Sequence, residues 1–267
     1  MLPRRALGKT GLTPGVLGLG AVKLGRSAGL KHPAPFQIPD DDAAANLLAV
    51  ALDFGINLID TAPAYGDSEE RLGRLIGSRR NRWIISTKAG EEFDAEAGLS
   101  TYDFSPNAVT ASAERSLRRL RTDRLDILLL HSDGRDEWII RESGAMEALA
   151  RLRERGLVRA IGISTKTPEG AALAVEVCDV VMVTLNEEDR GDKPAIEAAA
   201  SRGVGVLVKK ALRSGRAEAG AVERALALAL APEGVSCVIV GTISPEHLRA
   251  NARAAMDACY RSPESGA

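Results

Sequence analysis

Cysteine is scarce in this chain: Cys178, Cys237 and Cys259 stand far apart, with no CxxC pair. That spacing argues against a zinc ribbon or a redox dithiol. Cys237 sits in an apolar run and reads as a small core residue. An excess of one charge is also missing. Lys plus Arg number 35 against 36 for Asp plus Glu, a formal net charge of −1. Such a balance leaves no footprint for nucleic acid or an anionic membrane. The Arg-rich stretch 115–121 reads instead as a solvated helix face. No apolar run has the length of a transmembrane helix. The start, MLPRRALGKTG, is basic but no apolar segment follows, so no secretory signal is expected. With the odd cysteine count, this points to a reducing cytoplasm. A glycine-rich dinucleotide turn is absent too: GLGAVKLG (18–25) matches GxGxxG poorly, which weighs against a doubly wound sheet.

What is present is a regular alternation. Runs rich in Val, Ile and Leu predict strands over 16–20, 56–60, 83–88, 125–130, 158–163, 180–184, 204–208 and 235–240. Helical patterns follow over 41–54, 68–77, 106–121, 143–155, 168–177, 193–202, 217–231 and 245–259. Ser105-Pro106, Thr167-Pro168 and Ser244-Pro245 each pair an N-cap with a proline at the first helical position. Gly156, Gly203 and Gly234 stand where a helix ends and a strand begins. Eight such units without a composition break predict an α/β fold: a single-domain (β/α)8 TIM barrel spanning 1–267. The segment RRALGKTGLTPGV reads as an N-terminal β-hairpin that caps the barrel bottom. The long loops 23–39 and 90–105 both follow strands, so they are expected to shape a pocket. Lys23, Phe93, Tyr102 and Trp138 are candidate pocket residues.

Polar residues end several apolar strands. INLIDTAPAYG carries Asp60 and Tyr65, WIISTKAG carries Lys88, and LDILLLHSDG carries His131. Each alone has an ordinary explanation as a cap, a surface group or a satisfied core residue. Four on adjacent strand ends of a barrel imply one site. A lysine beside a tyrosine favours the phenolate, so the Tyr65 pKa is expected below its ordinary value of about 10. Asp60 holds Lys88, and His131 directs the reacting oxygen. That set suits proton transfer to an oxygen becoming an alkoxide.

With these motifs the chain resembles the aldo-keto reductase family. The resemblance rests on LGLG (17–20), IDTAPAYG (59–66), STKAG (86–90), LLLHS (128–132), GIS (162–164) and GTISPEHLRAN (241–251). It implies an oxidoreductase in which a nicotinamide cofactor reduces an aldehyde or ketone, or oxidises the matching alcohol or sugar. Tyr65 is then the general acid/base, tuned by Lys88 and Asp60, with His131 as orienter. The implied cofactor is NADP(H), with NAD(H) as the alternative. Its implied contacts are Gly20, Ser164, Asn186, Lys209, Lys210, Gly241, Thr242, His247 and Asn251. The sequence departs from the family at Thr165, and at Met182 and Leu185, which are expected to replace the usual contacts to the nicotinamide ring. His247 and Arg249 stand near the place of the usual 2′-phosphate ligands. The implied partner is a small-molecule carbonyl; no nucleic acid, membrane or protein partner is expected. Two other functions stay open: a Schiff-base lyase using Lys88, and a non-catalytic cofactor-sensing barrel.

Overall fold

The computed structural model describes residues 1–30, 35–215 and 220–260. Its strands are β1 (Leu17–Gly20), β2 (Leu58–Asp60), β3 (Ile84–Ala89), β4 (Glu91–Asp94), β5 (Leu99–Tyr102), β6 (Leu125–His131), β7 (Val158–Ser164), β8 (Val180–Thr184), β9 (Gly205–Lys209) and β10 (Val235–Val240). Its helices are α1 (Asp41–Phe54), α2 (Ser68–Ile76), α3 (Pro106–Arg119), α4 (Asp136–Arg141), α5 (Ala145–Glu154), α6 (Pro168–Val177), α7 (Lys193–Arg202), α8 (Val222–Leu230) and α9 (Pro245–Tyr260). Eight parallel strands close in the order β1-β10-β9-β8-β7-β6-β3-β2, the expected (β/α)8 barrel. The hydroxyls of Ser105 and Thr167 cap α3 and α6 as the Ser/Thr-Pro pairs predict.

Two elements exceed the sequence expectation. β4 and β5 form an antiparallel hairpin inside the 90–105 loop. α4 forms in the segment after β6, where no separate helix was expected. The first residues of the helix expected from 217, part of the 23–39 loop and the C-terminal tail lie outside the described residues. Among the described residues, no helix is long and apolar enough to cross a membrane.

Alternation sorts each apolar strand into two layers. On β6, Ile127 and Leu129 face the barrel interior, while Leu128 and Leu130 pack outward under the helices. The N-terminal segment closes the interior from below. Its arms meet at one antiparallel bridge, Arg4 with Gly15, and the Leu7 N–H donates to Leu12 O at 2.9 Å. Leu7 and Leu12 are buried in the same cluster as Leu58, Ile84, Ile127, Leu129 and Leu207. Closed at the strand N-termini by this plug, the barrel opens at the strand C-termini.

Candidate active site

The two-residue period of the strands selects what enters that opening. Continuing the inward series of each strand past its apolar residues gives Asp60 on β2, Lys88 on β3, His131 on β6, Ser164 on β7, Met182 on β8 and Lys209 on β9. All six line one cavity of 330 Å³, together with Tyr65, Lys23, Gly20 and Gly241.

At one wall, Lys88 Nζ donates to both carboxylate oxygens of Asp60, at 2.8 and 2.7 Å, and to Thr61 O at 2.8 Å. Ser86 Oγ supports Asp60 Oδ1 at 3.0 Å. Burial by itself would lower the Lys88 pKa, but Asp60 and Tyr65 more than reverse this, so Lys88 stays an ammonium. Its Nζ lies 4.8 Å from the centre of the Tyr65 ring. Tyr65 ends a short 3-10 turn, Pro63–Tyr65. That turn packs tightly: a Cβ on Gly66, whose φ is +63°, would lie 2.1 Å from Gly25 O. Arg26 clamps the same loops, donating to Ala64 O at 2.9 Å and stacking 3.2 Å over the Phe93 ring.

One expectation about Tyr65 is overturned. Burial pushes its phenol above 10.0, and the pull of Lys88 does not overcome that rise. Tyr65 therefore holds its proton at neutral pH, and the nearby Lys88 charge offsets part of the rise.

His131 meets Tyr65 edge-on, with ring centroids 6.1 Å apart. Its Nδ1 lies 2.6 Å from Glu91 Oε2 on β4, a contact bent from the ideal hydrogen-bond line. Burial works against the Glu91 carboxylate, but His131, Ser100 and Tyr102 outweigh it and hold its pKa at about 2. Burial lowers the His131 pKa in spite of Glu91. An ionised carboxylate at Nδ1 places the imidazole proton there and leaves Nε2 as an acceptor. Glu91 was not singled out in the sequence. The signal available was the run EEFD (91–94) followed by LSTY (99–102), with Gly98 between them.

The opposite wall belongs to Ser164, Met182 and Lys209. Lys209 Nζ donates to Ser164 Oγ at 2.8 Å and to Thr165 O at 2.6 Å. Burial, reinforced by the charges of Lys210 and Lys88, lowers its pKa to about 7. Gly20 and Gly241 lie side by side on β1 and after β10: a Cβ on Gly20 would come 3.6 Å from Gly241 Cα. Neither glycine adds a side chain, and the nearest one, Ile239, would lie 3.2 Å from a Cβ on Gly20, so a planar ring or a phosphate can approach this wall closely. Lys210 and Leu212 continue that rim.

The remaining expected cofactor residues stand outside the cavity lining. Asn186 braces a loop, donating to Lys210 O at 3.2 Å and accepting from the Glu188 and Asp189 N–H groups. The Thr242 hydroxyl accepts from the Ser244 N–H at 3.1 Å and shapes the start of α9. His247 is exposed and Asn251 is buried, both on α9. Leu185 is a correction: it packs in the outer core beneath the helices, because it falls on the opposite parity to Met182. Trp138, Phe93 and Tyr102 also miss the cavity, and only Lys23 of the four pocket candidates lines it.

Comparison with known proteins agrees with this geometry. The model of the Aldo/keto reductase family matches residues 16–224. A D-threo-aldose 1-dehydrogenase from a Pseudomonas species is 30% identical over 79% of this chain and 69% of its own length. A pyridoxal 4-dehydrogenase from Microbacterium luteolum is 27% identical over 93% of this chain and 91% of its own. The chain spans about half of an L-galactose dehydrogenase from Arabidopsis thaliana, 47% of its length at 36% identity. A crystal structure from Pseudomonas aeruginosa, assigned to the aldo-keto reductases, superposes with TM-score 0.88 at 49% identity, covering 96% of this chain and 95% of that one. With its barrel, its cavity and a family model that covers most of its length, this chain belongs to the aldo-keto reductase family of carbonyl oxidoreductases.

Proposed function

We propose that this protein interconverts a small aldehyde or ketone with its alcohol by hydride exchange with a nicotinamide cofactor, NADP(H) by preference. The buried Lys88–Asp60 pair next to Tyr65, inside one cavity, carries the reading. The wall at Gly20 and Gly241, where neither residue adds a side chain, with Lys209 and Lys210 also lining the cavity, fits a nicotinamide and its phosphates. His247 and Arg249 on α9 are the candidates for the 2′-phosphate. When bound, the cofactor supplies or accepts the hydride.

The chain's own groups handle the proton. In reduction, Tyr65 Oη gives its proton to the carbonyl oxygen as charge grows there. The Lys88 ammonium, fixed by Asp60, stabilises the phenolate left behind. His131 Nε2 holds the hydroxyl proton of the alcohol. The neutral ring, held at Nδ1 by Glu91, thereby aims the reacting oxygen at Tyr65 Oη. In oxidation the steps reverse, with Tyr65 as base. The cavity volume suits a small substrate. Two of the relatives are named for sugar substrates, which supports an aldose or a similar hydroxylated aldehyde.

Nucleophilic chemistry at Lys88 loses support, since its three N–H donors are committed and it stays protonated. Tyr65→Phe is expected to lower kcat about 10²- to 10⁴-fold, with the NADPH Kd within about threefold of the parent. Normal turnover in that variant would refute the assignment. NADPH binding without turnover of any aldehyde in a broad panel would favour the cofactor-sensing reading.

A further inference from the structure

Lys209 is a cation inside the barrel mouth without an anion. Its two acceptors are a hydroxyl and a peptide carbonyl. Among the described residues, no carboxylate lies within 4.0 Å of its Nζ. From β3, Lys88 repels it; from its own strand exit, Lys210 does the same; Asp192 and Asp136 attract it more weakly. His131 also faces it across the cavity, and burial keeps that ring toward its neutral form. Lys88 is neutralised by Asp60. Lys210, Lys166 and Lys23 also line the cavity, so the net field is positive, and Lys209 adds to it from inside the mouth.

A nicotinamide changes charge when it reacts. Its oxidised ring is a pyridinium cation and its reduced ring is neutral. We propose that the Lys209 ammonium biases this cavity toward the reduced, uncharged nicotinamide and against the oxidised, cationic one. The inference rests on the nicotinamide reading of the same site. Shared lining brings the two together: a ring able to reach a carbonyl beside Tyr65 occupies the same cavity that Lys209 lines. Like charges in a partly desolvated site repel strongly. The consequence is a shifted equilibrium on the enzyme, with carbonyl plus reduced cofactor favoured over alcohol plus oxidised cofactor.

The sign of the pH dependence follows from linkage. A cationic ring favours the neutral amine, so binding the oxidised form expels a proton from Lys209. Affinity for the oxidised form is weakest at low pH and rises as pH climbs through about 7. Affinity for the reduced form lacks this dependence. Lys88, its pKa raised, keeps its charge over the same range, and taking the ratio of the two affinities cancels the shared phosphates.

The test is isothermal titration calorimetry with NADPH and NADP+ from pH 6 to pH 9, on the parent, Lys209→Met and Lys209→Arg. In the parent, the ratio Kd(NADP+)/Kd(NADPH) should fall by about tenfold or more across that range, where tenfold equals ~1.4 kcal/mol. Lys209→Arg, permanently charged, should hold the ratio at its low-pH value throughout. Lys209→Met should give a low, flat ratio while still binding NADPH. A flat ratio in the parent, or a parent-like ratio in Lys209→Met, overturns the inference alone. Failure of the parent to bind either form overturns the nicotinamide reading and this inference with it.

Discussion

Lys88 and Lys209 enter one cavity from opposite sides, each the last inward-facing residue of its strand. Burial penalises both ammonium groups first. Lys88 meets a carboxylate at 2.7 Å, and its pKa rises. Lys209 meets only a hydroxyl and a carbonyl, and its pKa falls to about 7. Neutral dipoles solvate a buried cation but do not replace a counter-charge. Sequence position makes the two lysines equivalent; the partner each one finds makes them opposite. One is a fixed charge that serves proton transfer, and the other can lose its proton near neutral pH.

The comparison breaks most visibly if the counter-charge of Lys88 is removed. Asp60→Asn should destabilise the fold by about 3–5 kcal/mol, the cost of a buried unpaired charge, read by urea denaturation. Adding Lys88→Met should recover much of that stability but none of the turnover. A double variant no more stable than Asp60→Asn would mean that the pair does not act as a unit.

Glu91 gives the next effect. Its folded pKa of about 2 lies below the ordinary 4.5, so its contribution is present above about 4.5 and lost as pH falls toward 2. The linked stability is up to about 3 kcal/mol. Glu91→Gln should flatten the acid limb of thermal melts recorded from pH 2 to pH 5. It should also lower kcat/KM about tenfold by freeing the His131 ring.

Lys209 should show the reverse sign. Its lowered pKa means that the unfolded chain binds the extra proton, so the parent gains stability as pH rises from about 7 toward 10.5. Below pH 7, Lys209→Met should therefore be the more stable protein, by about 1 kcal/mol or more, and the advantage should vanish near pH 10. Equal melts at low pH would show that Lys209 is solvated far better than its surroundings imply. The smallest effect belongs to a lysine in water: Lys193, paired with Glu197 at 3.7 Å on the surface of α7. Lys193→Met should change stability by less than about 0.5 kcal/mol.

Most of the barrel could be read directly from the chain. The eight strands and the helices between them follow from apolar runs, Ser/Thr-Pro caps and glycine stops, because those signals are local. The β4–β5 hairpin escaped because Glu91, Glu92 and Asp94 leave it without an apolar face. Helix α4 escaped because six residues, DEWIIR, are too few to show a period. Asp60, Lys88 and His131 were legible because a polar residue that continues an inward series must be tolerated at the barrel mouth. Asn186 and His247 could be named as cofactor contacts from the family motifs but not placed in space, since the one sits on a loop and the other on an exposed face of α9, outside the cavity lining.

The sequence alone determined which residues face inward, because side-chain direction in a strand alternates with strict period two and the closed sheet leaves no other arrangement. It thereby chose the cast of the cavity. Only the tertiary structure decided the charge each member carries, because pKa depends on distances between residues far apart in the chain. Asp60 reaches Lys88 across 28 positions, Glu91 reaches His131 from a hairpin, and Lys209 finds Ser164 across 45 positions, with Asp192 and Asp136 acting on it only at longer range.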